Sequence, residues 1–396
     1  MNREVKAITL NKLLLIVVYI FINTFFSIYF FNIINYNLLA ISKYYLTIYI
    51  GLPLGFYLTK NQIKKGYKRE YYQIGISLTG VFLLLILLLK EKIVNFIPLL
   101  GIVNGLSQGF YYYPTNIYDT ELVINENRNK YTGYLNMVNM LINIIVPLVL
   151  GYALNKISYI QIGKIMIIFI IIMFINGFFL KNKYQIKSKF KHKEFLKYFI
   201  KNLKKLIIVR YLEGLTYSSS VLSVIITYYN ILYLNNSLYV GILTSITAIL
   251  ALITCYIYSK RNKKYDNKVI NITLILTILS LLGMILYTNI YTLCIYQFIL
   301  NSLIIYIQLL SNTNVANTTN NYKEIKKKYK AEYHLTMELI LNAGRITGFI
   351  ILMIISTLNN PFYLKIIISI SLISYLILLL NLKDLEWIKK KKSLHL

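Results

Sequence analysis

The feature that most constrains this chain is a run of about 18 or more apolar residues that recurs along its length, as at residues 8–34 and 269–286, separated by short polar segments. Each run is long enough for the roughly 20 residues that an α-helix needs to cross a bilayer. Lipid offers no partners to backbone N–H and C=O groups, so spanning segments must satisfy them internally, as helices do. The composition agrees, with 57% hydrophobic and only 14% charged residues, where a soluble domain carries roughly 25% charged. The polar segments leave no room for a large soluble domain.

Apolar runs bounded by charge predict helices at about 10–33, 38–58, 71–89, 96–117, 131–153 and 160–180, then at about 206–233, 239–258, 269–287, 291–314, 333–357 and 363–381. The expected fold is an all-α integral membrane protein of about 12 transmembrane helices in two pseudo-symmetric six-helix bundles. Residues 1–180 form the first half, 181–205 a basic linker, 206–382 the second half and 383–396 a basic tail. Arg3, Lys6 and Lys12 precede the first run with no small-residue cleavage site after it, so that run reads as an uncleaved helix and not as a signal peptide.

The net charge of +29 could be the footprint of a nucleic-acid binder. Its distribution excludes that reading. Of 43 Lys and Arg, only Lys43, Lys90, Lys92, Lys156, Lys164 and Lys365 fall on one side of the predicted membrane, and Arg345 falls within a span. The rest lie on the side that holds both termini, which the positive-inside rule makes cytoplasmic. In the linker, Phe190, Phe195, Leu196 and Phe199 recur among lysines with loose helical spacing, as suits an amphipathic helix on the anionic inner leaflet; the alternative is a solvated linker. The 38 tyrosines carry no functional weight by count alone.

Polar residues inside spans are costly unless they meet another helix or a water-filled cavity. Asn104, Gln108, Tyr111 and Thr115 share one face of the fourth predicted span, and Gln297, Asn301, Gln308 and Asn312 line the tenth. Weaker stripes run through Tyr19, Asn23 and Ser27, through Asn136, Asn139 and Asn143, and through Glu213, Ser220 and Thr227. From these, the expected substrate cavity is Asn23, Asn104, Gln108, Tyr111, Thr115, Asn143, Gln297, Asn301 and Gln308, the competing reading being interhelical hydrogen bonding.

Ionisable residues are rarer still. His334, Glu338 and Arg345 share a face of the eleventh span, and Arg210 and Glu213 sit three apart at the start of the seventh, so these five are the coupling or gating candidates. Glu338 is the expected proton carrier, with Arg345 tuning it; the alternative is a buried salt bridge that fixes packing. Cys255 and Cys294 both lie in spans without metal-type spacing, so neither a disulfide, a metal site nor a cofactor is expected.

The halves echo each other. Residues 59–65, Thr-Lys-Asn-Gln-Ile-Lys-Lys, match 259–264, Ser-Lys-Arg-Asn-Lys-Lys, after the second and eighth spans. Two six-helix halves, a basic linker and short basic loops after those spans resemble the major facilitator superfamily. Gly55, Lys60, Gly66, Lys68 and Arg69 look like a degenerate form of that family's loop motif between the second and third helices, although no Asp occupies it. Tyr111–Gly133, with Pro114, Arg128 and Tyr131, is similar to members from Gram-positive bacteria. The resemblance implies alternating access about a central cavity, driven by an ion or substrate gradient, in a plasma membrane.

The reading is therefore a secondary transporter of a small organic solute, with a coupling proton, efflux as the expected direction, the bilayer as its other partner and a monomer as its state. Two other classes fit less well. A permease subunit served by a partner ATPase would not need its own coupling groups. A lipid-carrier enzyme would need an acidic metal site or His cluster, and Asp119, Glu121 and Glu126 form no tight motif.

Overall fold

The computed structural model describes residues 3–393 apart from 36, 123–124, 183–190, 217–220, 235, 261–264, 323, 326–328 and 359–360. Every described element is helical. The first half contains α1 (Arg3–Ile20), a π-helical turn (Phe21–Phe26), α2 (Ser27–Ile33), α3 (Leu38–Lys64), α4 (Lys68–Leu89), α5 (Ile97–Leu122), α6 (Asn125–Leu154) and α7 (Tyr159–Gly177). A short α8 (His192–Asn202) follows. The second half contains α9 (Lys204–Thr216), α10 (Val221–Leu234), α11 (Ser237–Ser259), α12 (Asp266–Leu286), α13 (Ile290–Ile299), a second π-helical turn (Leu300–Ile304), α14 (Ile305–Asn321), α15 (Lys330–Ser356) and α16 (Leu364–Ser393).

Among the described residues, nine stretches are long and apolar enough to cross a membrane. One of them, Lys68–Tyr118, holds both α4 and α5, joined through a 3₁₀ segment at Lys90–Phe96. The shorter apolar stretch Val138–Leu154 lies in α6, and α9 with α10 covers the seventh predicted span. All twelve predicted spans thus have their helices. Large apolar side chains such as Leu88, Ile168, Leu279 and Leu380 are exposed along these helices, as a lipid-facing surface requires. Tyr57, Tyr152 and Tyr256 are exposed near helix ends, each with a lysine over its ring (Lys60, Lys156 and Lys260), the arrangement expected of an aromatic belt at a membrane interface.

The chain forms two compact units, Met1–Ser188 with Leu234–Ile249, and Lys189–Tyr233 with Leu250–Leu396. In unit 1, α3 packs on α5 through glycines. A Cβ on Gly105 would lie 2.2 Å from the Ile48 carbonyl oxygen, and one on Gly109 would lie 2.4 Å from that of Leu52, so only glycine permits this approach. Gly51 and Gly55 occupy the facing positions on α3. The first half of α11 also belongs to unit 1, held on α6 by the Gly151–Gly241 contact and by Ser245 Oγ donating to the Ile144 carbonyl at 2.7 Å. In unit 2 the matching close crossing joins α9 to α15, where a Cβ on Gly214 would lie 2.1 Å from the Leu341 carbonyl oxygen.

Two expectations change. Lys60 does not lie in a loop: α3, which holds Gly55 as expected, runs on to Lys64, because the residues after Tyr57 include good helix formers, and the turn shrinks to Lys65–Tyr67. Gly66, at φ 105°, closes it as a Schellman cap, with the Gly66 and Tyr67 N–H groups donating to the Ile63 and Gln62 carbonyls.

The linker helix does not lay its apolar face on lipid. Phe195 and Phe199 of α8 are fully buried against Leu203, Leu206, Ile325, Tyr329, Tyr333 and Met337 of unit 2. Its N-terminus is fixed by Glu332, whose buried carboxylate accepts the Lys191 N–H at 2.9 Å. Burial and the Glu324 carboxylate push the Tyr198 phenol on this helix above its usual value. Phe190 lies outside the described residues.

Candidate functional site

The charged centre of unit 2 is assembled from three helices. Arg210 on α9 donates through Nη1 to Glu213 Oε2 at 2.8 Å, one helical turn along the same face. Its Nη2 reaches Glu338 Oε1 on α15 at 3.4 Å. Ser311 on α14 donates its hydroxyl to Glu213 Oε1. The Glu213 side chain is 0% exposed, Arg210 12% and Glu338 26%, so the cluster runs from a dry carboxylate to a partly wetted one. The Gly214–Gly344 contact brings α9 and α15 close enough for the Arg210 fork to span them.

One guanidinium shared by two carboxylates leaves one negative charge. The Arg210–Glu213 pair is the tighter of the two contacts, at 2.8 Å against 3.4 Å. Arg345 donates through Nη1 to Asn342 Oδ1 at 3.1 Å, and His334 packs its ring against Tyr333. Arg210 supplies the cation beside Glu338, a partnership across 128 positions that spacing along one helix cannot reveal.

The polar stripes are more closed than a cavity lining. Asn104 is buried and donates to the Tyr44 hydroxyl at 3.1 Å, while half-buried Gln108 donates to Asn104 Oδ1 at 3.2 Å. Tyr111 is buried against Tyr72 with ring centroids 5.0 Å apart, and Thr115 returns its hydroxyl to the Tyr111 carbonyl at 2.6 Å. Gln297 and Asn230 exchange amide hydrogen bonds at 3.0 and 3.2 Å, a pairing that the sequence gives no means to foresee. Asn143 is exposed on α6 and donates to the Asn139 carbonyl at 2.7 Å. Gln308 is half-buried on α14.

Asn23 and Asn301 differ from the rest. Each sits within a π-helical turn, in Phe21–Phe26 and Leu300–Ile304 respectively, an irregularity that occurs frequently at functional sites. Asn23 is exposed and Asn301 half-buried, its amide donating to the Gln297 carbonyl at 2.9 Å. Ser220 lies outside the described residues, as do the side chains of Ser27, Asn136, Asp119, Glu121, Glu126, Arg128 and Tyr131.

Lys68 and Arg69 open α4. Lys68 is buried with its ammonium 5.6 Å from the Tyr118 ring centroid. The Arg69 N–H donates to Asn182 Oδ1 at 2.9 Å, and Asn182 in turn donates to both Glu70 oxygens at 2.8 Å. The residues expected to form a gating loop thus tie the start of α4 to the segment following α7. A further network links α1, α4 and α7: Asn11, fully buried, donates to the Tyr72 hydroxyl at 2.8 Å and accepts from Asn176 at 2.8 Å. Among the described residues, no group of three or more His, Cys, Asp or Glu is placed to hold a metal ion.

Residues 8–325 match the family described as the Major Facilitator Superfamily. The uncharacterized protein YqgE of Bacillus subtilis is 21% identical over 385 residues, covering 93% of this chain and 86% of its own. Three solved structures share the fold along nearly the whole chain. A bacterial homologue of the iron transporter ferroportin, in an inward-facing state, has a TM-score of 0.65 at 14% identity, covering 97% of this chain and 98% of its own. The nucleoside transporter NupG has 0.68 at 12%, covering 97% and 99%, and a D-xylose–proton symporter has 0.64 at 12%, covering 95% and 96%. The helices, the charged and amide clusters within them and the match over most of its length establish this chain as a multi-pass membrane protein of the major facilitator superfamily, a secondary transporter and not an enzyme.

Proposed function

We propose that the chain moves a small neutral or amphipathic organic solute across the plasma membrane by alternating access, coupled to a proton carried by Glu338, with export as its direction and the monomer as its working unit. The observation that carries this reading is the sharing of Arg210 between the dry Glu213 and the partly exposed Glu338. It leaves Glu338 as the carboxylate that can exchange a proton while the inner pair stays intact. The polar residues of the stripes within the spanning helices are amides, phenols and hydroxyls, which suit hydrogen-bonding solutes better than strong ions. Structures of the same fold include a nucleoside transporter and a D-xylose–proton symporter, so both a polar organic cargo and proton coupling have precedent on this architecture.

In this reading the amides that can meet a solute are Asn23 and Gln108 in unit 1 and, in unit 2 taken by itself, Asn301, with Asn23 and Asn301 each on a π-helical turn. The test is thermal unfolding of the purified protein in mild detergent against a panel of sugars, nucleosides, amino acids, peptides and drug-like cations at two pH values. A solute at about 100 times its Kd should stabilise the protein by about 2.7 kcal/mol, with a pH-dependent response. Gln108→Ala and Asn301→Ala should weaken that response while leaving the ligand-free melting temperature near wild type. Unaltered binding by both variants would remove these amides from the solute site.

A further inference from the structure

We infer that Ser311 is a positioning residue for the coupling site: by donating to Glu213 it keeps Arg210 available to Glu338, and so sets the pH at which Glu338 exchanges its proton. This rests on the proposed role of Glu338 and adds a residue that acts on it through Glu213 and Arg210. The geometry is a contest for one cation. Glu213 is 0% exposed and accepts from two donors, Arg210 Nη1 on one oxygen and Ser311 Oγ on the other. A buried carboxylate must have its charge met by hydrogen bonds or an ion pair. With Ser311 supplying one donor, a single arm of the Arg210 fork suffices for Glu213, and the other arm extends 3.4 Å to Glu338. Without the hydroxyl, Glu213 draws both arms, and the Glu338 carboxylate loses its cation.

The other charged and titratable groups on the described elements around Glu338 have these partners. On its own helix, His334 packs on Tyr333, and Arg345 bonds Asn342. From α8, His192 bonds Thr336, and Lys191 pairs with Glu194 at 2.9 Å. The Tyr333 hydroxyl donates to the Val315 carbonyl on α14, and Tyr375 of α16 donates to the Thr216 carbonyl on α9. Ser311 itself is 1% exposed, so water does not substitute freely for its hydroxyl.

The experiment needs no substrate. Infrared difference spectra of the purified full chain in detergent, recorded across pH, follow the protonated-carboxyl band that disappears in Glu338→Gln. Ser311→Ala should raise the midpoint of that band by about one pH unit, equivalent to about 1.4 kcal/mol. Ser311→Thr, which keeps the hydroxyl, should restore the wild-type midpoint. Glu213→Gln, which releases Arg210 to Glu338, should move it in the opposite direction. A midpoint that stays put or falls in Ser311→Ala overturns the role of Ser311. A wild-type protein with no titrating Glu338-dependent band overturns the proton-carrier reading itself, so the two failures are told apart.

Discussion

In unit 1 the close crossing of α3 on α5 is accompanied by neutral polar groups, the Tyr44–Asn104–Gln108 chain. In unit 2 the close crossing of α9 on α15 carries Arg210, Glu213 and Glu338 within about one or two turns of its contact glycines. Both crossings need glycine, since van der Waals packing and close backbone approach drive helix association in lipid. Their polar chemistry differs in kind. Amides and phenols hold one charge state across the physiological range, whereas a carboxylate beside a shared arginine can respond to a proton gradient. On the proposed reading the two units divide the work: unit 1 pairs glycines with fixed hydrogen bonds, and unit 2 pairs them with an ion-pair cluster.

The largest expected effects strike what the two crossings share. Gly105→Leu and Gly214→Leu should each abolish a monodisperse peak on gel filtration in detergent. Even alanine at either position should cost about 3 kcal/mol, because its Cβ meets a backbone carbonyl that cannot rotate away. Gly283→Ala, whose new Cβ would meet only the Thr292 methyl at 3.9 Å, should leave the melting temperature unchanged or slightly raised. Equal losses at all three glycines would deny that close approach is what these crossings require.

Next in size is the arginine that unit 1 has no need of. Arg210→Ala leaves Glu213 buried without its cation and should destabilise by about 3–5 kcal/mol. Adding Glu213→Gln should recover much of that loss. Melting curves of the single and double variants would read both effects, and a double variant no more stable than Arg210→Ala would make Arg210 a packing residue. The unit 1 counterpart is milder. Asn176→Ala removes hydrogen bonds to Asn11 and to the Ala7 carbonyl, each worth about 0.6 kcal/mol, and its effect should not vary with pH.

The smallest effect on global stability is expected at α8. Phe195→Ala should speed hydrogen exchange across His192–Asn202 while the spanning helices of both units exchange as before. Unchanged exchange in α8 would mean that its docking does not depend on the aromatic cluster.

The helices were legible because lipid imposes their length and apolar composition. The polarity of residues 59–64 marks the membrane boundary and not the helix end, so the sequence points to a loop where α3 continues to Lys64. The docked face of α8 could not be foreseen: the same Phe spacing serves lipid or protein, and the acceptors Ile325, Tyr329 and Tyr333 lie more than a hundred residues away. The coupling candidates were visible as rare ionisable groups, but their pairing was not. Glu338 shares a helix with Arg345, yet its cation comes from α9. Of the amides read as a cavity, Asn104 and Gln297 are engaged with Tyr44 and Asn230, which periodicity along one helix cannot show.

The division of work between the units is tested most directly by proton movement. Proteoliposomes holding an internal pH dye would be supplied with a solute from the stabilising panel. Wild type should move protons with the solute. Glu338→Gln should still exchange solute at equal concentrations on both sides but move no protons and build no gradient, while Asn176→Ala in unit 1 should retain all three. Proton movement that survives in Glu338→Gln would contradict the account and place the coupling group elsewhere.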